Sequence, residues 1–534
     1  MEELSNKALA PSLLSLCLDA VADRLISDNA AAGGGVGRTG SSGGCSGGGG
    51  LAGFSEDDGG EADEDRLHPQ ELAEGLPWEL LHRLASRLPP VVLESLHHAA
   101  HARYCSAETT SGLGVQDGER RGVKRSRCED FNSTWQLLFK LRWPLGGNTG
   151  HNNLVTVDWQ QKYWEKHLQE CLNEAAEHAF LPFFCGSIGE LSISAKIMNS
   201  IYQSMGTSQQ HSRLAYQCSK FGCYVRSLRL QGVLCTAETY VLLQQCKLER
   251  LMFIRIISDL EIAGWLSELN KCSTNLLALK SDIFMNSLSV LNLRENNLQK
   301  DDVVDLHKIL IKMPNLRDLD ISGNPVMDEG IRSLIPFISW SIQKENPLLR
   351  LTVENCELSS IGVIILLECL TNAKQLLDVL SIADNHLGSS VAAALARFLG
   401  SHVRALNATD IGLGTVGFQI LEETLPTEVA LSHINISKNR GGIRAAYFVS
   451  RLICRAPDLV SVNAAGNLLP PESLEVICNS LKQGTCNLER VDLTGNMHLS
   501  SNIFPAFLEF KKHGKPILVV PPNLSTSAPY DDDP

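Results

Sequence analysis

Aliphatic residues recur in a fixed order along the C-terminal part of the chain, in the pattern LxxLxLxxNxL. One complete copy contains Leu288, Leu291, Leu293, Asn296 and Leu298. Successive copies lie 26 to 32 residues apart, and the position of Asn296 is occupied in turn by Asn324, Cys356, Asn385, Ile411, Asn439, Asn467 and Asn496. A short strand therefore alternates with a segment long enough for a helix, which predicts a curved parallel sheet.

This period of about 28 residues resembles the ribonuclease-inhibitor-like class of leucine-rich-repeat proteins. The resemblance implies an α/β solenoid, a horseshoe whose parallel sheet carries outer helices. It covers about residues 185–520, because weaker copies begin upstream at Ile188, Val225, Leu248 and Leu276. We expect the leucines to point into the core and the asparagine side chain to satisfy backbone groups that would otherwise be buried unpaired.

One strand position in each repeat must face solvent on the concave side, because side chains alternate along a strand. Every residue at this position is small and polar. The candidate ligand surface consists of Asn292, Asp320, Thr352, Ser381, Asn407, Asn435, Asn463 and Asp492. The pattern fits a hydrogen-bonding surface for a protein target, and it equally fits the preference of a crowded concave face for small polar residues.

The chain also carries a short motif near its start, within the sequence SLLSLCLDAV at residues 12–21. Ser12, Leu13, Cys17 and Val21 match the BC-box, the helix with which receptors of cullin-RING ubiquitin ligases bind elongin C. The last three of these residues share one helical face, as a helix that docks into a partner's groove requires. The alternative is an amphipathic helix that packs on the helices after it.

A second block resembles the F-box and cullin-box regions of such receptors. Leu76 opens an F-box-like sequence, LPWELL, and the proline motif of a cullin box is matched by Leu88, Pro89, Pro90 and Leu93. The double proline should separate two helices. The order of BC-box, cullin-contacting helices and solenoid is similar to that of leucine-rich-repeat substrate receptors of elongin–cullin ligases.

Composition and periodicity predict five segments. They are a BC-box-like amphipathic helix at 1–27, a disordered Gly-rich and acidic linker at 28–65, a helical F-box/cullin-box-like region at 66–184 with a basic loop at 106–130, the leucine-rich-repeat domain at 185–520, and a disordered acidic tail at 521–534. The linkers are expected to be disordered because they cannot bury enough apolar area to offset chain entropy.

Composition narrows the range of functions. The net charge of −13 disfavours a general nucleic-acid or membrane-surface role, and no apolar run approaches the length that spans a bilayer. Sixteen cysteines without a CxxC pair, and a start unlike a secretory signal, indicate reduced thiols in the cytoplasm or nucleus. The basic residues between Arg120 and Arg127 fit either a nuclear import signal or a plain charged loop.

Nothing in the sequence proposes a reaction, so we expect no enzyme activity and no cofactor. The glycine-rich residues 33–50 follow no predicted strand, which disfavours a phosphate cradle, and P-loop and HExxH motifs are missing. His97, His98 and His101 lack a partner at ligand spacing, so we expect no metal site.

The leading interpretation is therefore a non-catalytic substrate-recognition subunit of an elongin–cullin-RING ubiquitin ligase. Its predicted partners are elongin C, a cullin and an unidentified protein substrate. A leucine-rich-repeat scaffold or inhibitor without a ligase connection is the main alternative. A GTPase-activating solenoid ranks last, since it needs an exposed catalytic arginine and nothing distinguishes Arg294 or Arg317 for that role.

Overall fold

The chain forms two compact units, Met1–Val225 and Arg226–Pro534. The computed structural model describes residues 13–32, 67–106, 121–144, 157–181, 184, 186–203, 208–234, 237–244, 246–254, 283–400, 402–483, 488–499 and 517–519. The predicted tail at 521–534 and nearly all of the predicted linker at 28–65 lie outside these residues.

The first unit is helical. Its helices are α1 (Leu13–Ala32), α2 (Pro69–Gly75), α3 (Trp78–Ala85), α4 (Pro90–Ser106), α5 (Arg121–Arg142), α6 (Trp159–Ala179), α7 (Ala195–Tyr202) and α8 (Leu214–Phe221), followed by a 3-10 turn at Gly222–Tyr224. Proline at the first position of α4 starts that helix, because proline lacks the N–H that a first helical turn leaves unpaired. The predicted separation of two helices at the double proline is confirmed.

Two helices extend beyond the boundaries that the sequence suggested. Helix α1 continues to Ala32, since the alanines after residue 27 favour helix. Helix α5 begins at Arg121, within the predicted basic loop, because arginine and lysine are also good helix formers. The predicted start of the repeats at 185 stays a prediction, and the first described strand begins at Ser227.

Aromatic side chains form the core of the first unit. Trp135, Tyr163 and Trp164 are all at most 1% exposed, and the ring of Trp164 stacks on Phe221 with centroids 3.9 Å apart. Each such ring buries a large apolar area, so this cluster contributes much of the stability of α5, α6 and α8. The tryptophan-rich segments of the sequence are therefore core elements.

A buried polar network lies beside this core. Arg142 donates from Nη2 to Glu170 Oε2 at 2.7 Å and to His167 Nδ1 at 3.2 Å, and His167 Nε2 is 2.9 Å from Gln217 Oε1. Because the guanidinium can only donate, His167 must accept at Nδ1 and carry its proton on Nε2. Burial and the charge of Arg142 lower the pKa of His167 to about 3.

The second unit is built on one parallel sheet of 11 strands, which follow one another in chain order. The strands are β1 (Ser227–Gln231), β2 (Arg250–Ile254), β3 (Val290–Asn292), β4 (Asp318–Asp320), β5 (Arg350–Thr352), β6 (Leu377–Ser381), β7 (Val403–Asn407), β8 (His433–Asn435), β9 (Ser461–Asn463), β10 (Arg490–Asp492) and β11 (Ile517–Val519). The leucines of the repeat pattern are buried in the core of this second unit, as predicted.

Helices lie between successive strands from β1 to β10, because parallel strands need a crossover connection. They are α9 (Ala237–Leu243), α10 (Ile283–Ser287), α11 (Lys300–Leu310), α12 (Met327–Ser341), α13 (Ser360–Leu370), α14 (Ala392–Leu399), α15 (Gly414–Thr424), α16 (Gly442–Arg455) and α17 (Glu472–Gln483), with 3-10 turns at Gly232–Leu234 and Ser389–Val391. The predicted α/β solenoid is confirmed. Among the described helices, none is both long and apolar enough to cross a membrane.

The asparagines of the repeat pattern join neighbouring repeats. Asn439 Oδ1 accepts from the backbone N–H groups of Ile411 and Leu413, at 3.1 and 3.2 Å, and Asn439 Nδ2 donates to the carbonyl of Ala408 at 2.8 Å. Asn467 and Asn496 make equivalent bonds. The predicted role of these side chains, which is to pair buried backbone groups, is confirmed.

This ladder of amides is interrupted at two repeats. Cys356 replaces asparagine and approaches the carbonyl of Ile321 through its sulfur, 3.4 Å away. Ile411 has no polar side chain, and its backbone carbonyl accepts from Leu387 N at 3.1 Å instead. A thiol is a weak donor, so both junctions lack the strong amide bridge of the other repeats.

The residue before each asparagine position has a positive φ, between 45° and 69°. These residues are Glu295, Gly323, Asn355, Asp384, Asp410, Lys438, Gly466 and Gly495. The chain turns here from the strand toward the helix, and a left-handed residue produces this turn in every repeat. Glycine, asparagine and aspartate adopt such angles at low cost, which explains most of the residue types in this column.

Candidate protein-interaction sites

Helix α1 packs on α3 and α4 through one apolar face. Leu18, Ala22 and Leu25 are buried, with exposures of 5%, 3% and 0%. Their spacing of three or four residues places them on one side of the helix. The helix is therefore a packed part of the first unit.

The BC-box-like residues flank this buried face. Cys17 is exposed and Val21 is half-buried, because at 100° per residue they lie beside the packed side chains. Leu13 begins α1, but its side chain and all of Ser12 lie outside the described residues. Leu16 is also exposed, at 51%. The helix thus presents apolar surface that its own packing leaves uncovered.

Hydrogen bonds fix α1 to the chain before α4. Arg87 donates from Nε to Asp19 Oδ1 and from Nη2 to Ser15 Oγ, the latter at 2.9 Å. The backbone N–H of Leu67 donates to Asp28 Oδ2 at 3.0 Å. Exposed ion pairs of this kind contribute little stability, but they hold the BC-box-like helix next to the proline motif.

The four cullin-box-like residues are interior. Leu88 is 2% exposed, Leu93 is 0% exposed, and Pro89 and Pro90 are both buried. They pack at the junction of α3 and α4, and their side chains are too buried to contact a partner. Contact with a cullin stays a prediction, and it would have to use exposed neighbours such as His98.

The three histidines of α4 have separate surroundings. His97 accepts at Nδ1 from Trp135 Nε1 at 3.2 Å, His98 Nε2 lies 3.0 Å from Tyr224 Oη, and His101 is exposed. Burial, and then the charges of His101 and His98, lower the pKa of His97 to about 4. Within the described part of the chain, no cluster of three or more His, Cys, Asp or Glu side chains could hold a metal ion.

The eight candidate residues of the concave sheet face fall in one register across β3 to β10, hereafter the central row. The strand pairings align Asn292 with Asp320, then Thr352, Ser381, Asn407, Asn435, Asn463 and Asp492. Seven of them are half-buried and Ser381 is buried. The strand pairings therefore put all eight positions on one line, although Ser381 is buried and does not face solvent as expected. The use of this row as a ligand surface stays a prediction.

Most of the central row has a structural task that the sequence interpretation missed. The side-chain oxygens of its Asn and Asp residues accept from the backbone N–H two residues later, as Asn435 does from Ser437 at 3.1 Å and Asp492 from Thr494 at 3.0 Å. Such bonds end a strand locally. The recurring Asn/Asp-x-Ser/Thr pattern could have predicted this structural task. The hydroxyls of Ser437 and Thr494 donate to the same side-chain oxygens of Asn435 and Asp492.

Glu354 links several repeats on the concave face. It accepts from Arg294 Nη1 at 2.9 Å, from Ser381 Oγ at 2.6 Å and from Asn407 Nδ2 at 3.1 Å. Burial alone would raise the pKa of Glu354, but these hydrogen bonds outweigh it and the pKa is lowered. Arg294 is thus engaged, and Arg317 donates to Asn346 Oδ1.

Comparison with known proteins finds similarity over part of the chain. Its sequence is 26% identical over 223 residues to Tonsoku-like protein of Danio rerio, covering 39% of this chain and 13% of that protein. It is 21% identical over 227 residues to human NACHT, LRR and PYD domains-containing protein 14, covering 36% of this chain and 20% of that protein. The chain thus spans at most a fifth of the length of these relatives.

Two solved structures match the chain with TM-scores below 0.5. A chain from the yeast Rad7 and Elc1 complex matches with a TM-score of 0.41 and 15% identity, covering 76% of this chain and 98% of its own. The leucine-rich-repeat protein LegL7 from Legionella pneumophila matches with a TM-score of 0.33 and 17% identity, covering 57% of this chain and 85% of its own.

The family model that describes a leucine-rich repeat matches residues 312–334, which include β4 and the asparagine of its repeat. This match falls where the strand, the left-handed turn at Gly323 and the amide of Asn324 occur together. With the parallel sheet and the asparagine ladder, it identifies the second unit as a leucine-rich-repeat solenoid, a protein-interaction scaffold.

Proposed function

We propose that the chain is a non-catalytic substrate-recognition subunit of an elongin–cullin-RING ubiquitin ligase. Helix α1 binds elongin C through Leu13, Cys17 and Val21, and the concave sheet face binds the protein to be modified. One observation carries the proposal: α1 is anchored through Leu18 and Leu25, while Cys17 of the BC-box-like motif remains exposed.

This geometry supports binding because the helix is already formed and held before a partner arrives. A pre-ordered helix loses less conformational entropy on docking than a segment that must fold. An exposed thiol and neighbouring leucines also provide the apolar contacts by which a short helix occupies a groove.

The test is recovery of purified elongin C on the immobilised full chain. The paired change Leu13→Ala and Cys17→Ala should abolish recovery, whereas Asp23→Ala with Ser27→Ala, at exposed positions of the same helix, should leave it unchanged. Circular dichroism establishes that both variants keep their helices. Equal recovery by the two variants would overturn the proposal.

The burial of Leu88, Pro89, Pro90 and Leu93 favours the second candidate, a leucine-rich-repeat scaffold without a ligase connection. The two candidates differ in cullin recruitment. Size-exclusion chromatography of the chain with elongin C and each of a panel of purified cullins decides between them: co-elution of a cullin supports the ligase subunit, and its absence with every cullin supports the scaffold.

A further inference from the structure

The concave face carries exposed arginines on its N-terminal strands. Two residues before the central row, the register aligns Arg250 of β2 with Val290, then with Asp318 and Arg350. Arg250 and Arg350 are exposed, and Asp318 between them is half-buried. Adjacent strands lie about 4.8 Å apart, so the two guanidinium groups can reach over the same stretch of sheet.

A third exposed arginine, Arg317, lies directly before β4. The backbone N–H groups of Arg317 and Asp318 both donate to the carbonyl of Ser289, at 2.8 and 3.0 Å. The same arrangement recurs at the start of the next strand, where the backbone N–H groups of Leu349 and Arg350 donate to the carbonyl of Arg317 at 2.8 and 2.9 Å. Arg317 is exposed and Asp318 is half-buried. We call Arg250, Arg317 and Arg350 the arginine patch.

The arginine patch differs in its pairing from three other arginines of this face. Arg294 pairs with Glu354 at 2.9 Å, Arg404 with Asp378 at 3.4 Å, and Arg490 with Asp492 at 3.0 Å. By contrast, none of the three patch arginines has a carboxylate within 4.0 Å among the described residues. Asp318 offsets only part of their charge, so the patch is locally positive on a chain whose net charge is −13.

The chemistry of the patch fits carboxylates of another protein. A guanidinium binds a carboxylate through two parallel hydrogen bonds, and an exposed one without a carboxylate partner breaks no ion pair on doing so. A nucleic acid fits less well, because Asp318, Asp320 and Glu249 on the same strands would repel a continuous phosphate backbone. Val290 and Leu349, both half-buried, add apolar contact for a peptide.

We infer that the arginine patch binds an Asp/Glu-rich segment of the protein that occupies the concave face. The inference rests on the proposed use of this face for target binding, and it names the chemistry of the target. Arginine–carboxylate pairs here supply orientation and salt-sensitive association more than affinity.

The test is fluorescence anisotropy of a labelled peptide of alternating Glu and Ser with the full chain. The triple change Arg250→Gln, Arg317→Gln and Arg350→Gln should weaken binding about tenfold, the product of three exposed ion pairs each worth a two- to threefold change. The matched control is Arg332→Gln, Arg397→Gln and Arg451→Gln, which removes the same charge from the outer helices and should leave affinity unchanged.

Three results would overturn the inference: no binding of the peptide by the unaltered chain, equal weakening in both triple variants, or binding of single-stranded DNA as tight as that of the peptide. A peptide with Gln in place of Glu should not bind. The same triple variants are also assayed for elongin C recovery, which should be unaffected. No peptide binding by the unaltered chain, together with intact elongin C recovery, would be a failure of this inference alone, whereas an unaltered chain that recovers no elongin C would be a failure of the proposed function.

Discussion

Cys17 and Leu18 are neighbours in α1 but have opposite surroundings: Leu18 is 5% exposed against the helices it packs on, and Cys17 is open to a partner. The side chains that anchor the helix are thus separate from those proposed to bind elongin C. Substitutions can therefore separate the stability of the first unit from the proposed binding.

Leu25→Ala should lower the free energy of unfolding of the first unit by about 3 kcal/mol, because it removes a fully buried side chain and leaves a cavity. Leu16→Ala, at a position that is 51% exposed, should change it by less than about 0.5 kcal/mol. Urea unfolding followed by tryptophan fluorescence measures both. Similar losses in the two variants would show that α1 is not packed through Leu25.

Asn439→Ala should lower the free energy of unfolding of the solenoid by about 3–5 kcal/mol. The change leaves the N–H groups of Ile411 and Leu413 and the carbonyl of Ala408 buried without partners. Asn463→Ala in the central row should lower the free energy of unfolding by only about 1 kcal/mol, because Asn463 Oδ1 accepts one hydrogen bond, from the N–H of Ala465 at 3.0 Å. Guanidinium unfolding followed by circular dichroism compares them. Equal losses of unfolding free energy in the two variants would contradict a larger structural role for the asparagines of the repeat pattern than for those of the central row.

Lys438→Gly should stabilise the solenoid by about 0.5–1 kcal/mol, because Lys438 has a φ of 60° and glycine adopts this angle without steric cost. Gly466→Ala, at a φ of 61° in the next repeat, should destabilise it by about 1 kcal/mol or more. The midpoint of thermal unfolding reports both changes. A destabilised Lys438→Gly variant would contradict the expected strain.

The first unit should lose stability as the pH falls. The folded pKa of His167 is about 3, below its ordinary value of about 6.5, so between these values the unfolded chain binds the additional proton. The contribution of His167 is fully present above pH 6.5 and decreases below it, by about 2 kcal/mol at pH 5. Urea unfolding at pH 7.5 and 5 measures this loss.

His167→Gln should reduce the difference in unfolding free energy between the two pH values by most of that amount, while Gln can still hydrogen-bond Gln217. The exposed His178 gives the control, since His178→Gln should leave the difference unchanged. An unaltered pH dependence in His167→Gln would show that His167 is not buried in its neutral form.

The solenoid could be predicted from the sequence because the same pattern of residues recurs in each repeat and predicts the same strand and helix each time. Leu291, Leu319 and Ile434 hold equivalent positions, so the register of the central row followed from the period alone. The helix boundaries of the first unit were harder to predict. No repeat constrains them. The helix propensity of single residues decided where these helices begin and end, as at Arg121, where α5 begins, and Ala32, where α1 ends.

The candidate sites were predicted less completely. The apolar stripe of α1 contains residues of both faces, and the choice of Leu18 and Leu25 as the packed side depends on α3 and α4, which a local pattern does not contain. The proline motif likewise reads as a surface motif, although tertiary packing buries Leu88 and Leu93. Spacing identifies a face of a helix, but the surrounding helices determine whether it is exposed.

The asparagine amide is missing at the β4–β5 junction, where Cys356 replaces it, and at the β6–β7 junction, where Ile411 does. The bonds of Glu354 on the concave side span both junctions, because one joins it to Arg294 after β3 and another to Asn407 of β7. At these junctions, part of the stiffness of the solenoid therefore comes from its binding face. A target that draws Glu354 away from Arg294 and Asn407 would soften the middle of the solenoid as it binds, which would couple curvature to occupancy there.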